Sequence, residues 1–491
     1  MTLSSLIKKL DYKILNGDEN TDCRELVYDS RIANEGDVFV CIKGAVSDGH
    51  KFISQVAQKS VAAIVVEEDV KITEELSDIT IVKVSDTRLA LAYMSAEFFG
   101  NPAESIFTIG ITGTKGKTTT TFMVRNILEA CGIKTGLIGT IETIIGDEHI
   151  PSKNTTPESY LVQKYFRKMV DEDCRCVVME VSSQALMLHR TAGIVFDIGV
   201  FTNLEPDHIG PNEHKDYADY MSCKARLFKQ CIHGIVNVDS PDVMKAIVDH
   251  NCTLETYGIH NQRAKLIADN IKFEYKNGKI YTSYDINGGM KIKLHMPGEF
   301  SVYNSLCAIA ITKHFNVDDD KLKEALLNVR VPGRVEMVNI SDEYMAMVDF
   351  AHNAMSLKSL LVTLKEYNPK RIVTLFGCGG ERSELRRTEM GAVSGQFSDF
   401  TIITSDNPKS ENPERIMEQI EEGLKPYSDK YVKITDRVEA VEYAIKNALP
   451  GDMLVFAGKG HETYQETAQG KMPYNERETV LNAAAKIRRN L

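Results

Sequence analysis

Phe107-Thr-Ile-Gly-Ile-Thr-Gly-Thr-Lys-Gly-Lys-Thr-Thr-Thr, residues 107–120, runs from a short apolar strand pattern through a glycine-rich turn into a helical stretch from about Thr118 to Ala130. A phosphate-binding loop belongs at such a junction. Its glycines let backbone N–H groups turn inward on phosphate oxygens, and the following helix presents its positive end. Lys117 supplies a point charge, and the Thr118 hydroxyl suits a Mg²⁺ ligand. Ile111 stands where the strict GxxxxGK[ST] pattern has its first glycine, so Gly113 must provide the tight turn. The loop implies use of a nucleoside triphosphate without naming the reaction. A glycine-rich turn without nucleotide is the plainer alternative.

Downstream, Cys176-Val-Val-Met-Glu, Ile198-Gly-Val-Phe-Thr and Gly234-Ile-Val-Asn-Val read as further buried strands separated by helical stretches. That rhythm predicts an α/β fold with a doubly wound parallel sheet, whose ligands sit at the carboxyl ends of the strands. Ala264 to Met296 alternates like antiparallel strands, and Phe300 to Phe315 returns to helical spacing. Upstream, Gly36-Asp-Val-Phe-Val-Cys-Ile and Ala62-Ala-Ile-Val-Val mark a small α/β unit that ends near Gly100-Asn-Pro-Ala-Glu. Past the turn at Val331-Pro-Gly-Arg come four more strand candidates. They are Ala346-Met-Val-Asp-Phe, Arg371-Ile-Val-Thr-Leu-Phe, Phe400-Thr-Ile-Ile-Thr and Met453-Leu-Val-Phe-Ala. Three domains are expected, at residues 1–105, 106–330 and 331–491.

The 491-residue length fits that count at ~100–200 residues per domain. With 26% charged and 43% apolar residues the chain reads as globular. The net charge of −11 is spread along it without a basic stripe, which argues against a nucleic-acid partner. Ten scattered cysteines without CxxC pairs at zinc spacing read as reduced thiols of the cytosol. The opening MTLSSLIKKLDYKI lacks a continuous apolar stretch with a cleavage site and reads as an amphipathic first helix. A cytoplasmic location is expected from those thiols, and since no run approaches the ~20 apolar residues that span a bilayer, any link to a membrane must come through a substrate.

The GTxGKTTT form, with Gly113 and Thr114 ahead of Gly116-Lys117-Thr118, resembles the Mur ligase family and its relative folylpolyglutamate synthase. Further motifs resemble that family in order. They are Met179-Glu-Val-Ser-Ser, Leu188-His-Arg, Val200-Phe-Thr-Asn-Leu with Asp207-His208, Gly333-Arg-Val-Glu, Val348-Asp-Phe-Ala-His, Phe376-Gly-Cys-Gly-Gly-Glu-Arg, Asp406-Asn-Pro-Lys and Ala457-Gly-Lys-Gly-His-Glu. Tyr28-Asp-Ser-Arg resembles the family's uridine-nucleotide domain. The resemblance spans nearly the whole chain. It implies a three-domain architecture with a central P-loop-type ATPase domain and a Rossmann-like C-terminal domain. The implied activity is an ATP- and Mg²⁺-dependent ligase that adds a diamino acid to a UDP-N-acetylmuramoyl dipeptide. Meso-diaminopimelate is the first expectation and L-lysine the second, because Lys409 stands where the family often has an arginine. A folylpolyglutamate synthase-like ligase and a non-catalytic nucleotide-binding paralogue are the other readings.

Carried over residue by residue, the resemblance gives ATP the loop Gly113, Thr114, Lys115, Gly116, Lys117, Thr118 and Thr119, together with Asn304, Arg334 and Asp349. It assigns Thr118 and Glu180 to one Mg²⁺ and His208 to a second, which Lys224, as a carbamate, helps to hold. Lys117, Glu180, His208 and Lys224 form the expected catalytic set. Ser30, Thr155, Thr156, Ser182 and Arg190 would hold the UDP-linked substrate, and Arg382, Asp406, Asn407, Lys409, Gly458 and Glu462 the incoming amino acid. Each residue also has a plainer reading. Glu180 fits a salt-bridged structural acid, His208 a capping histidine and Lys224 a solvated helix lysine, while Thr155-Thr156-Pro157 and Asp406-Asn-Pro-Lys are both good turn sequences. Gln184 follows Ser182-Ser183 where the family often has histidine, and the segment from His208 to Lys224 is longer than the family pattern.

Overall fold

The computed structural model describes residues 1–44, 47–210 and 213–489, and the chain forms two compact units. The first comprises Met1–Lys265 with Cys307–Val317, the second Leu266–Leu306 with Asp318–Leu491.

The first unit opens with a five-stranded sheet in the order Tyr12–Asn16, Thr80–Val84, Ala63–Val66, Val38–Val40, Leu26–Val27. All its neighbours run parallel except the first pair. The N-terminus departs from the amphipathic helix expected there. Leu3, Leu6 and Ile7 are buried on a helix of only five residues, Leu3–Ile7, and the chain from Tyr12 pairs antiparallel with Thr80–Val84. Tyr12 and Ile14 alternate across the edge of that sheet, and cross-strand pairing outweighs the helical spacing.

The phosphate-loop strand, Phe107–Thr112, lies inside a second sheet of this unit. The order is Thr253–Gly258, Cys231–Asn237, Phe196–Phe201, Phe107–Thr112, Cys176–Glu180, Thr135–Ile138, all parallel, followed by the antiparallel edge strands Glu142–Ile145 and Glu148–Pro151. Ile109, Ile111, Val177, Val178, Ile198 and Val200 are fully buried, as strands covered on both faces require. Each contributes about 1.5–3 kcal/mol of transfer free energy. Register puts Glu180 beside Ile111 and Phe201 beside Thr112. Three strand ends therefore deliver the loop, a carboxylate and the segment after Phe201 to one place.

The second unit begins with an antiparallel meander, Leu266–Lys276, Lys279–Ile286 and Met290–Leu294. The helical reading of Phe300 to Phe315 corresponds to the helix Gly298–Thr312 and the short turn Lys313–Phe315. A six-stranded sheet follows in the order Glu336–Met337, Met345–Asp349, Asp452–Ala457, Arg371–Phe376, Phe400–Ile403, Tyr431–Lys433, parallel except at its first pair. Along Asp452–Ala457, Met453, Val455 and Ala457 pack with Leu357, Leu361 and Ile420, while Leu454 and Phe456 pack with Val441 and Val480. This period of two, apolar on both sides, is that of a doubly wound sheet. Among the described residues no helix is long and apolar enough to cross a membrane, and all ten cysteines are free.

Candidate active site

The phosphate loop is braced by the chain that follows the neighbouring strand. Asn203 accepts from the Lys115 amide at 2.9 Å, and both Thr202 Oγ1 and Asn203 Nδ2 donate to the Lys115 carbonyl. Gly113 has φ +146°, and a β-carbon there would lie 1.9 Å from Thr202 Oγ1, so only glycine fits. Gly116, at φ +85°, leads into the helix Lys117–Ala130. Lys115 Nζ pairs with Glu205 at 2.7 Å, and the Thr114 hydroxyl lies 3.1 Å from the Tyr220 phenol oxygen. Thr119 follows Thr118 in the first turn of the helix.

Two lysines converge on one carbonyl oxygen. Lys117 Nζ donates to Gly113 at 2.8 Å and to Thr114 at 3.1 Å, and Lys224 Nζ donates to Gly113 at 2.8 Å. Lys224 sits near the end of the helix Tyr217–Ala225 and is 2% exposed, so it is not the solvated lysine its sequence context suggests. Burial, reinforced by the neighbouring Lys117 charge, pushes its amine well below the usual lysine range.

Glu180, 1% exposed at the end of its strand, accepts from Thr118 Oγ1 at 3.0 Å and Thr140 Oγ1 at 2.9 Å through one oxygen, and from the Thr140 amide at 2.8 Å through the other. Cis oxygens around an octahedral Mg²⁺ at about 2.0–2.1 Å sit about 2.9 Å apart. The Thr118 and Glu180 oxygens therefore fit one such ion between them. His208, half exposed at φ +54°, has Nδ1 3.0 Å from Glu213 Oε1.

These groups border a cavity of about 320 Å³ lined by Lys117, Thr140, Thr155, Ser182, Ser183, Arg190, His208 and Lys224 among others. Thr155 Oγ1 lies 3.1 Å from Thr140 Oγ1, which links the substrate-side loop to Glu180. Arg190 donates to the Thr156 carbonyl at 3.0 Å and pairs with Glu158 at 2.8 Å, while its buried Nε has no partner. The structure turns Thr156 inward: its buried hydroxyl donates to the Glu180 carbonyl at 2.8 Å and accepts from the Ser182 amide at 3.1 Å. Ser30 does not line this cavity. It is buried near the N-terminal sheet, its carbonyl held by Lys59 Nζ at 2.8 Å.

In the second unit, Asp349 ends its strand and accepts from the amides of Val335 at 2.7 Å and Ala351 at 2.8 Å. Burial raises its pKa against the opposing Arg334 charge. Arg334 lies over the Phe350 ring at 5.0 Å. Asn304 is buried on the helix Gly298–Thr312.

Asp406, Asn407, Gly458 and Glu462 gather around a lysine, Lys459, that was not singled out in the sequence, whereas Arg382 and Lys409 are not among its contacts. Lys459, fully buried, donates to Asn407 Oδ1 at 2.9 Å and Glu462 Oε2 at 2.6 Å, with Asp406 Oδ1 3.7 Å away. Asn407 Nδ2 also reaches Glu462 at 3.0 Å. Burial raises the Asp406 pKa, with Lys459 opposing. Gly458 has φ +104°, and a β-carbon there would meet Asp406 Oδ2 at 2.9 Å. Lys409 Nζ is 3.2 Å from Glu381, and Arg382 is exposed in the same loop as Glu381. Thr140, Asn203 and His214 were also missed, and only Asn203 carried a sequence signal, by standing in Val200-Phe-Thr-Asn-Leu.

Comparison with known proteins gives the family. Three family profiles match: "Mur ligase family, catalytic domain" over residues 23–99, "Mur ligase middle domain" over 111–312, and "Mur ligase, glutamate ligase domain" over 333–460. A UDP-N-acetylmuramoyl-L-alanyl-D-glutamate–2,6-diaminopimelate ligase of Clostridium perfringens is 41% identical over 98% of this chain and 99% of its own. A solved structure of a ligase with the same name superposes with a TM-score of 0.74 at 22% identity, covering 99% of both chains. A Mycobacterium tuberculosis folylpolyglutamate synthase complexed with ADP and AMPPCP reaches a TM-score of 0.56 at 17% identity over 82% of this chain and 94% of its own.

Proposed function

The chain belongs to the Mur ligase family, and from that premise we propose that it joins meso-diaminopimelate to UDP-N-acetylmuramoyl-L-alanyl-D-glutamate at the expense of ATP. The observation that carries the reading is the cavity on which Lys117, Lys224, His208, Thr155, Ser182 and Arg190 converge. Full-length similarity to a named diaminopimelate ligase supports the choice of substrates. The likeness to folylpolyglutamate synthase covers less of the chain and is one of fold. L-Lysine is the second reading for the amino acid, favoured by Lys409 in place of an arginine.

A carboxylate oxygen is a poor leaving group, so the substrate carboxylate first takes the γ-phosphoryl group of ATP and releases ADP. The amine then attacks the acyl phosphate, loses a proton and expels inorganic phosphate as the amide forms. Lys117 offsets charge on the moving phosphoryl group, while Gly113 to Thr119 cradle the phosphates. Asn304, Arg334 and Asp349 meet the rest of the nucleotide. Thr118 and Glu180 would hold one Mg²⁺, and His208 with Lys224 the other. Bound there, Mg²⁺ supplies charge neutralisation at the phosphoryl oxygens. Lys224 takes the carbamate form when its uncharged amine attacks CO₂, forming an N–C bond and losing a proton. Its burial favours the uncharged amine this step needs.

Thr155, Ser182 and Arg190, which line the cavity, bind the sugar, phosphate and peptide of the UDP-linked substrate and Ser30 its uracil side, while Thr156, turned inward, braces their loop against the Glu180 carbonyl. Arg382 and Lys409 take the amino acid's carboxylates and Asp406 and Glu462 its ammonium groups, with Asn407 and Gly458 completing the pocket. The labour divides among residues 1–105, 106–330 and 331–491, a division supported by three profile matches that fall within those limits. UDP-linked substrates, ATP and free thiols suit the cytoplasm.

The test is ADP release with UDP-N-acetylmuramoyl-L-alanyl-D-glutamate against a panel of amino acids. Turnover that depends on the dipeptide substrate and is fastest with meso-diaminopimelate is expected. Nucleotide binding without ADP release for any amino acid would leave a non-catalytic paralogue instead.

A further inference from the structure

A buried hydrogen-bonded chain at the wall of the cavity has no part in the reading above. His214 is fully buried; its Nδ1 lies 3.0 Å from Asp219 Oδ2 and its Nε2 2.9 Å from Ser183 Oγ. Ser183 lines the cavity beside Ser182, Arg190 and Lys224. The His214 backbone closes the segment that bears His208: its amide donates to the His208 carbonyl at 3.0 Å, and its carbonyl accepts from the Gly210 amide at 3.1 Å. Asp219 lies on the helix that carries Lys224, and the His214 ring stands edge-on to Tyr220 at 5.2 Å.

We propose that Asp219, His214 and Ser183 form a positioning relay that presents the Ser183 oxygen as an acceptor to an N–H or O–H group of the UDP-linked substrate. The inference rests on the function proposed above and extends it to a residue with no role there. A carboxylate accepts only, so in the neutral ring the proton between Asp219 and Nδ1 sits on Nδ1, and Nε2 is the acceptor. Ser183 must then donate its only proton to Nε2, which leaves its lone pairs for the cavity. The donors within reach of that chemistry are an amide N–H or a sugar hydroxyl of the muramoyl peptide. Cys223 Sγ is 4.0 Å from Asp219 Oδ1, and His214, Asp219 and Cys223 offer atoms within 4.8 Å of one another. Both ring nitrogens of His214 are already engaged, so the hydrogen bonds account for this cluster without an ion.

Asparagine mimics the Nδ1 edge of histidine and glutamine the Nε2 edge, so two substitutions separate the two halves of the relay. The experiment measures Kd for UDP-N-acetylmuramoyl-L-alanyl-D-glutamate by calorimetry, without ATP or Mg²⁺, for wild type, Ser183→Ala, His214→Gln and His214→Asn. KM for meso-diaminopimelate and the melting temperature are followed alongside. Ser183→Ala and His214→Asn should weaken the UDP-linked substrate by about fivefold or more, the worth of one hydrogen bond. His214→Gln should stay within about twofold of wild type, and the diaminopimelate KM should hold in every variant. Wild-type affinity in Ser183→Ala would overturn the relay, as would equal losses in His214→Gln and His214→Asn, which mark a ring that merely fills space. Should His214→Asn not fold, Ser183→Ala and His214→Gln decide alone. A wild type that neither binds nor turns over the UDP-linked substrate would overturn the proposed function, and the relay with it.

Discussion

Lys224 shows how far burial changes what a residue can do. On a helix read from sequence it is one more surface lysine; in the fold it is 2% exposed and shares the Gly113 carbonyl with Lys117. Burial of Lys224 beside the Lys117 charge, with both on one acceptor, favours the neutral amine that a carbamate requires. Lys224→Ala should therefore lose turnover by at least about 100-fold, the scale of removing a group that supports transition-state charge. A small carboxylic acid able to occupy the carbamate's place should restore part of it. Full activity in that variant, or rescue by a small amine instead, would dismiss the carbamate. Lys409 poses the corresponding question for the amino acid. Its ammonium pairs with Glu381 at 3.2 Å, a partner that the distal carboxylate of meso-diaminopimelate would have to displace. Lys409→Ala should lower kcat/KM for diaminopimelate about tenfold or more while sparing L-lysine, and Lys409→Arg should keep or improve it. Steady-state kinetics with both amino acids decide this, and a wild type that prefers lysine and ignores both changes would refute the choice. Lys117 and Glu180 were legible because motifs name them, and Lys224 only through the family resemblance. Thr140 and His214 were not, because Glu180 and Ser183, the partners that tie them to the site, lie 40 and 31 residues away in sequence; Lys459 stands in Ala457-Gly-Lys-Gly-His-Glu, but its burial shows only in the fold.

At the scale of elements, the strands that carry the site were the legible ones. Phe107–Thr112, Cys176–Glu180 and Phe196–Phe201 are continuous apolar runs because both faces are covered, and their ends locate the loop, Glu180 and the Thr202–Glu205 brace. The edge strand Tyr12–Asn16 was misread as helix because Leu3, Leu6 and Ile7 set a helical period just ahead of it, while its pairing with Thr80–Val84 leaves no local trace. The hairpin of Glu142–Ile145 and Glu148–Pro151, half polar, gave no signal at all. The loop's departure from the usual glycine pattern makes a sharp prediction at this scale. Because Gly113 combines φ +146° with a β-carbon position 1.9 Å from Thr202 Oγ1, Gly113→Ala must displace either the loop or its brace. Strain of about 1–3 kcal/mol is expected. The variant should melt a few degrees lower and bind a non-hydrolysable ATP analogue at least about tenfold more weakly. Unaltered nucleotide affinity would mean that the turn at Gly113 does not shape the phosphate site.

Across the whole molecule, the residues proposed for the UDP-linked substrate and for the amino acid divide as the compact units do. Ser30, Thr155, Thr156, Ser182 and Arg190 all belong to the unit of Met1–Lys265 and Cys307–Val317, whereas Arg382, Asp406, Asn407, Lys409, Gly458 and Glu462 all belong to the other. Each unit has apolar clusters of its own, around Phe166, Met179 and Phe228 in the first and around Leu361, Phe376 and Val455 in the second. Units with separate cores unfold in separate steps when their coupling is weaker than their own stability. Scanning calorimetry should accordingly resolve two transitions. A ligand at about 100 times its Kd stabilises the unit that binds it by about 2.7 kcal/mol. At about 2–4 °C per kcal/mol, that is a shift of about 5–10 °C. The UDP-linked dipeptide should move one transition and meso-diaminopimelate the other. If both ligands raise a single common transition, the binding residues do not partition as assigned; if diaminopimelate moves the transition that the dipeptide moves, the amino-acid pocket is misplaced and the residues around Lys459 are structural instead.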